Sequence, residues 1–155
     1  MGSKNRQAKA RARKVPSKNP KAAPVATSTR ETPFFCFHHA DRATKEAWAF
    51  KPGGGQASEL LDFLCDMGRL KWNDIESQET GTRKRRRKHH SQSIGSLDTA
   101  AQADLRKRKL DETFGDEMFR FRLSGKSRLW GFRAKRVFHV IWWDPDHQVY
   151  PTEPS

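Results

Sequence analysis

Glu117-Met-Phe-Arg-Phe-Arg-Leu-Ser-Gly-Lys-Ser-Arg-Leu-Trp-Gly-Phe-Arg-Ala-Lys-Arg-Val-Phe-His-Val-Ile-Trp-Trp-Asp-Pro-Asp-His-Gln-Val-Tyr150 is the stretch that decides the fold. Phe119, Phe121 and Leu123 alternate with Arg120 and Arg122, the period-2 pattern of a strand apolar on one face and cationic on the other. Ser124-Gly-Lys-Ser127 breaks the pattern, a second alternating segment follows, and Val137 to Trp143 is almost wholly apolar, as a central strand is. Three successive antiparallel strands are expected. Asp144-Pro-Asp146 is a strong turn, and His147 and Tyr150 lie just beyond it, where the sheet leaves its last strand.

A hairpin centred on Gly125-Lys126 has the Gly-X form of a tight two-residue turn. In that register Leu123 pairs with Arg128, which puts Arg128, Trp130 and Phe132 on the apolar side. Leu129, Gly131 and Arg133 then join Arg120 and Arg122 on the other. The expectation is a groove lined by Arg120, Arg122 and Arg133, with Arg128 near the hairpin end. A one-residue change in turn length exchanges the two faces. Ser124-Gly-Lys-Ser127 has the ending of a phosphate-binding loop, but the first glycine is missing and a strand rather than a helix follows, so nucleotide binding is not expected there.

Upstream, Phe34 to Phe37 reads as a short buried strand and Asp41 as the cap of a brief helix reaching Phe50. Gly53 to Gly55 form a linker. Ser58 is placed to cap a helix to about Glu76, with Leu61, Leu64, Cys65, Gly68, Trp72 and Ile75 on one face and Leu60, Phe63, Met67 and Leu70 widening it. Residues 77–95 are polar and basic and read as a disordered loop. Ser96 then caps a thin amphipathic helix from about Leu97 to Lys109, ending in cations that suit a helix C-terminus. The expected fold is α+β: strand, helix, helix, three strands, a small antiparallel sheet with helices packed on one face.

The net charge is +13 and only 34% of the residues are hydrophobic, against about 45–50% for an ordinary globular chain. Residues 1–30 carry nine Lys/Arg and no acid, which leaves a net +4 for 31–155, and Arg83-Lys-Arg-Arg-Arg-Lys88 is a second basic run. The chain therefore divides into a disordered basic tail, 1–31, and a single domain, 32–152. Such segments bind polyanions by counterion release, so nucleic acid is the expected partner, with Arg85, Arg86 and Arg87 among the contacts. No apolar stretch approaches the ~18 residues of a membrane span, and no leader with an apolar core opens the sequence. A soluble, cytoplasmic protein without membrane contact is expected.

Cys36 and Cys65 cannot make a zinc site unaided and read as buried thiols. His38-His39 and His89-His90 are adjacent pairs, whose side chains point apart on a strand, so neither is a natural metal site. His89-His90 reads as part of a solvated loop beside the basic run, with nucleic-acid contact as the sharper reading. His139 reads as a satisfied core histidine. No metal or cofactor is expected.

The block Leu123-Ser-Gly-Lys-Ser-Arg-Leu-Trp-Gly-Phe132, the apolar strand and the ending Asp146-His-Gln-Val-Tyr150 resemble the RelE/ParE toxin superfamily, nearest its YoeB-like branch. The ending is also similar to that of a group of uncharacterised bacterial proteins. The resemblance implies a small basic endoribonuclease that cuts mRNA on the ribosome and is neutralised by a cognate antitoxin. It implies that Arg128 stabilises the phosphate transition state, that His147 gives or takes a proton, and that Tyr150 stacks on or activates the nucleotide. Arg120, Arg122, Lys126 and Arg133 would align the backbone. A non-catalytic RNA- or DNA-binding protein using the same basic face is the alternative.

Overall fold

The computed structural model describes residues 29–151, so the expected basic tail lies almost wholly outside the described residues. In chain order the elements are β1 (Phe34–Cys36), α1 (Gly55–Met67), α2 (Trp72–Ser77), β2 (Glu79–Thr80), β3 (Arg86–Arg87), β4 (His90–Ser93), α3 (Thr99–Lys107), α4 (Leu110–Phe114), β5 (Glu117–Arg122), β6 (Arg128–Ala134) and β7 (Val137–Asp144). The α+β class is as expected. β5, β6 and β7 form the antiparallel centre of a five-stranded sheet of order β1-β7-β6-β5-β4, in which β1 runs parallel to β7. β2 and β3 make a separate two-stranded ribbon.

α1 and α2 pack together on one face, where Leu60, Met67, Trp72 and Ile75 meet Phe119, Phe121, Leu129, Phe138 and Val140. On the other face Ala101, Leu105 and Leu110, from α3 and α4, meet Met118, Trp130, Phe132, Ile141 and Trp142. An extra residue in β7 opposite Trp130 and Gly131 shifts the register there. A bulge of this kind adds twist and redirects side chains, and here Ile141 and Trp142 both reach the α3–α4 core. Gly131 lies against β7 with no room for a side chain. A Cβ at this position would overlap the His139 carbonyl oxygen and the Phe138 ring.

The hairpin register differs from the expected one. Leu123 N–H donates to the Ser127 carbonyl (3.0 Å), so the loop holds three residues, with Gly125 in the left-handed region (φ 56°). Ser127 N–H still donates to the Ser124 carbonyl (3.2 Å), so the tight turn around Gly125-Lys126 is kept and Ser124 is the added residue. The one added residue pairs Arg122 with Arg128, Phe121 with Leu129 and Arg120 with Trp130. Arg128 therefore joins Arg120 and Arg122, and Arg133 moves to the opposite face.

Other boundaries also move. The long helix expected to Glu76 breaks after Met67, because extended Lys71 (ψ 152°) turns the chain so that Trp72 enters the core. There Trp72 is fully buried, edge-on to Phe119, and its Nε1–H donates to the Arg136 carbonyl (3.1 Å). Leu61 and Cys65 consequently face outward, so Cys65 is an exposed thiol, and Cys36 is half-buried. Asp41 caps a turn through the N–H groups of Ala43 and Thr44 rather than a helix. Asp98, not Ser96, caps α3 by accepting from Ala100 N–H (3.0 Å). β1 is an edge strand with Phe34 exposed. His139 is half-buried against Phe114, with Nδ1 enclosed and unpartnered rather than satisfied. Residues 77–95 are structured: they contain the β2–β3 ribbon and β4. The edge position of β4 lets the sequence His-Ser-Gln-Ser pair with β5 without the apolar alternation of a buried strand.

Candidate functional site

The antiparallel pairing brings the start of β4, the end of β5, the start of β6 and the end of β7 to one end of the sheet. Arg120, Arg122 and Arg128 meet there on a single face. Arg122 and Arg128 are direct cross-strand partners, and the Arg120 guanidinium lies over Trp130, 5.9 Å from the ring centroid. Arg128 is only 8% exposed, and its Nη1 donates to the Gly125 and Ser127 carbonyls (2.9 Å each). The Nε groups of Arg120 and Arg128 are buried without a hydrogen-bond partner.

Among the described residues none of these three arginines forms an ion pair. The result is a concentration of like charge in a partly desolvated place. Burial, then the Arg120 and Arg122 charges, bring Arg128 down to about 10. Burial and then Arg122 lower Arg120 as well. Mutual repulsion of this kind, with unpaired donors, is relieved by an incoming anion.

Asp144 is the nearest carboxylate in the ladder, opposite Arg128, but its oxygens are already committed. Oδ1 accepts from Gln148 N–H (2.8 Å), and Oδ2 accepts from Val149 N–H (3.0 Å) and Trp130 Nε1–H (3.3 Å). This clamp reverses the chain after β7, with Val149 fully buried as its anchor. It holds His147 in the left-handed region (φ 58°), which a non-glycine residue rarely adopts. Arg120 Nη1 lies 3.3 Å from His147 Nε2, and the Tyr150 ring is 6.4 Å from that of His147. Burial, then Arg128, Arg120 and Arg122, push His147 down to about 4. The imidazole is therefore neutral at physiological pH.

The two histidines preceding and opening β4 point to opposite sides of the strand, as adjacent residues must. His89 is fully buried: its Nδ1 accepts from Arg122 N–H (3.0 Å), which leaves Nε2–H to donate to Gln78 Oε1 (3.1 Å). Burial and the surrounding cations hold it at about 3. It joins the polar ribbon to the sheet. His90 faces the arginine cluster, with Nε2 2.7 Å from Arg120 Nη2.

Of the residues singled out in the sequence, Arg120, Arg122, Arg128, His147 and Tyr150 are brought together. Arg133 is not. It lies on the opposite face, ion-paired to Glu76 and stacked 4.0 Å from the Trp72 ring centroid. Lys126 is exposed at the hairpin tip, and Arg85, Arg86 and Arg87 are exposed on the ribbon. The ribbon reaches the cluster through Arg122 Nη1, which donates to Thr80 Oγ1 (3.4 Å). Asp144 was not foreseen as a site residue, His90 was expected only in a solvated loop or as a nucleic-acid contact, and His89 is buried rather than solvated. The Asp-Pro turn was the available signal for Asp144, whereas His90 required knowing that a polar segment would pair with β5. Among the described residues no group of three or more His, Cys, Asp or Glu side chains could hold a metal, and no helix is long and apolar enough to cross a membrane. No family model, curated protein or solved structure matches the chain.

Proposed function

We propose that the protein is a toxin-like, metal-independent endoribonuclease that cuts mRNA in the cytoplasm. The observation that carries this reading is the cluster of three arginines without a carboxylate partner, set around a neutral histidine. Cleavage through the RNA's own 2′-OH needs a proton acceptor, a proton donor and positive charge at the scissile phosphate. Arg128, Arg120 and Arg122 supply the charge through fixed donors, two of which have unused Nε–H groups. His147, held neutral by burial and then by those cations, would accept a proton once the charge of a bound phosphate offsets them. Tyr150 is placed beside it to stack on the base or donate a hydrogen bond. The basic ribbon would hold flanking RNA or ribosomal RNA, and a cognate antitoxin would act by covering the cluster.

The test is incubation of the purified protein with RNA oligonucleotides and programmed ribosomes, alongside Arg128→Ala and His147→Ala. Cleavage by the wild type and loss of product in both variants is expected. Salt-sensitive RNA binding by all three proteins with no product would instead establish a non-catalytic RNA-binding protein.

A further inference from the structure

We infer that His90 is the second proton-transfer group of this site, paired with His147 across Arg120; the inference rests on the ribonuclease reading. Arg120 places Nη2 2.7 Å from His90 Nε2 and Nη1 3.3 Å from His147 Nε2. A guanidinium has donors only, so both Nε2 atoms accept and carry no proton in the free site. His90 supplies a second, independent indication of that tautomer. Its Nδ1 lies 3.1 Å from the Ser91 carbonyl, which can only accept, so the ring proton is on Nδ1 and the Nε2 lone pair faces the cluster. His89, one residue earlier, has the reverse tautomer and both ring nitrogens used within the fold. The two neighbours thus divide into a structural histidine and one whose reactive nitrogen is committed to nothing but Arg120.

The phosphate of a bound RNA would take the Arg120 amines and leave the two Nε2 atoms on either side of it. The 2′-O–H bond then breaks with its proton passing to one Nε2, while the 2′-oxygen forms a bond to phosphorus. The P–O5′ bond breaks, and the departing 5′-oxygen takes a proton from the other imidazole, which enters the reaction protonated. The products are a 2′,3′-cyclic phosphate and a 5′-hydroxyl. The pair ends with the same number of protons, exchanged between its members. In the free protein Arg120 and Arg128 face His90, and Arg128, Arg120 and Arg122 face His147. The phosphodiester's negative charge is what lets one of them hold a proton in the complex.

The experiment compares wild type, His90→Ala, His90→Gln and His147→Ala on an RNA oligonucleotide and on the same oligonucleotide with a bridging 5′-sulfur at the cleaved bond, which leaves without needing a proton. The expected result is a fall of about 10²-fold or more in kcat for His90→Ala and His90→Gln with KM little changed. Gln keeps an acceptor for Arg120 but cannot transfer a proton, so its failure separates chemistry from positioning. The sulfur substrate should restore only one of the two alanine variants, which identifies the acid. Wild-type rates in His90→Ala or His90→Gln, or restoration of both alanine variants or neither, would overturn the His90 assignment and leave the ribonuclease reading standing. A wild type that cleaves no RNA removes that reading and the pair together.

Discussion

Arginines occupy both faces of the same hairpin and live in opposite electrostatic conditions. Arg133 has its Glu76 carboxylate and the Trp72 ring, and its side chain is only 7% exposed. On the other face Arg128 has backbone carbonyls, Arg120 the imidazoles of His90 and His147, and Arg122 the Thr80 hydroxyl, while Asp144, the carboxylate opposite Arg128, serves backbone N–H groups and the Trp130 indole. A paired, stacked guanidinium fastens α2 to the sheet. Three unpaired ones raise the energy of the free protein and are relieved by an anion. The same residue type at neighbouring positions therefore belongs to stability in one case and, on the proposed function, to ligand recognition in the other, and the hairpin register decides which.

The sharpest way to break this contrast is to remove one arginine from each face. Arg128→Ala should lower RNA cleavage by roughly 10²–10³-fold, the usual cost of losing a fixed donor to a developing oxyanion. Its urea midpoint should change little, because the fall in like-charge repulsion offsets the loss of its bonds to the Gly125 and Ser127 carbonyls. Arg133→Ala should do the reverse: wild-type cleavage, and a loss of about 2–3 kcal/mol in urea unfolding, from a charged hydrogen bond and a stacked cation. Full stability in Arg133→Ala, or a cleavage defect matching that of Arg128→Ala, would show that the two faces do not divide the work in this way.

Much of this was legible in the sequence, and the failures have physical causes. The alternation of Phe119 to Leu123 and the apolar run Val137 to Trp143 specified β5 and β7 directly, because their burial is strongly patterned. The Asp144-Pro145 turn placed His147 and Tyr150 beyond the last strand. The face of Arg128 was not legible, since two-residue and three-residue loops built on Ser-Gly-Lys-Ser leave every side chain on opposite sides. Only the Leu123–Ser127 bond selects between them. β4 was hidden for another reason. At an edge, Ser91 and Ser93 face water while His89 and Ile94 anchor the two ends, so no period appears within four residues. Trp72 was recognised as apolar, but the break before it reflects tertiary packing overriding a continuous helical pattern.

Acid should separate the faces a second time. His147 and His89 have folded-state values of about 4 and about 3, below the ordinary histidine value of ~6.5. The unfolded chain then binds more protons than the folded one through the intervening range. Stability is complete above pH ~6.5 and is lost as pH falls toward the folded values. Asp144 opposes this weakly: burial raises its carboxyl, so protonation relieves the folded state. Urea midpoints should therefore decline from pH 7 to pH 5. Arg120→Ala should move the His147 titration, followed by NMR, upward toward the ordinary value. A midpoint flat across that range, or a His147 titration unmoved in Arg120→Ala, would remove the electrostatic account of the cluster.

The smallest expected effect lies in the β2–β3 ribbon, where the same division recurs within one dipeptide. Arg86 pairs across from Thr80, whose hydroxyl accepts from Arg122, so Arg86 and Thr80 share the side turned to the arginine cluster. Arg87 pairs across from Glu79 and lines a shallow cavity with Glu76 and Glu79, on the other side. Arg85 already has a long, exposed ion pair with Glu79 (3.7 Å), worth at most about 1 kcal/mol. RNA tracking from the cluster along the ribbon would meet Arg86 and miss Arg87. Arg86→Ala should weaken RNA binding uniformly across sequences and reduce the slope of log K against log salt by about 0.7, the value for one single-strand phosphate contact. Arg87→Ala should leave the slope unchanged. Equal slopes for the two variants would mean that the ribbon acts only as a diffuse positive field, and that the path of the RNA is set by the cluster alone.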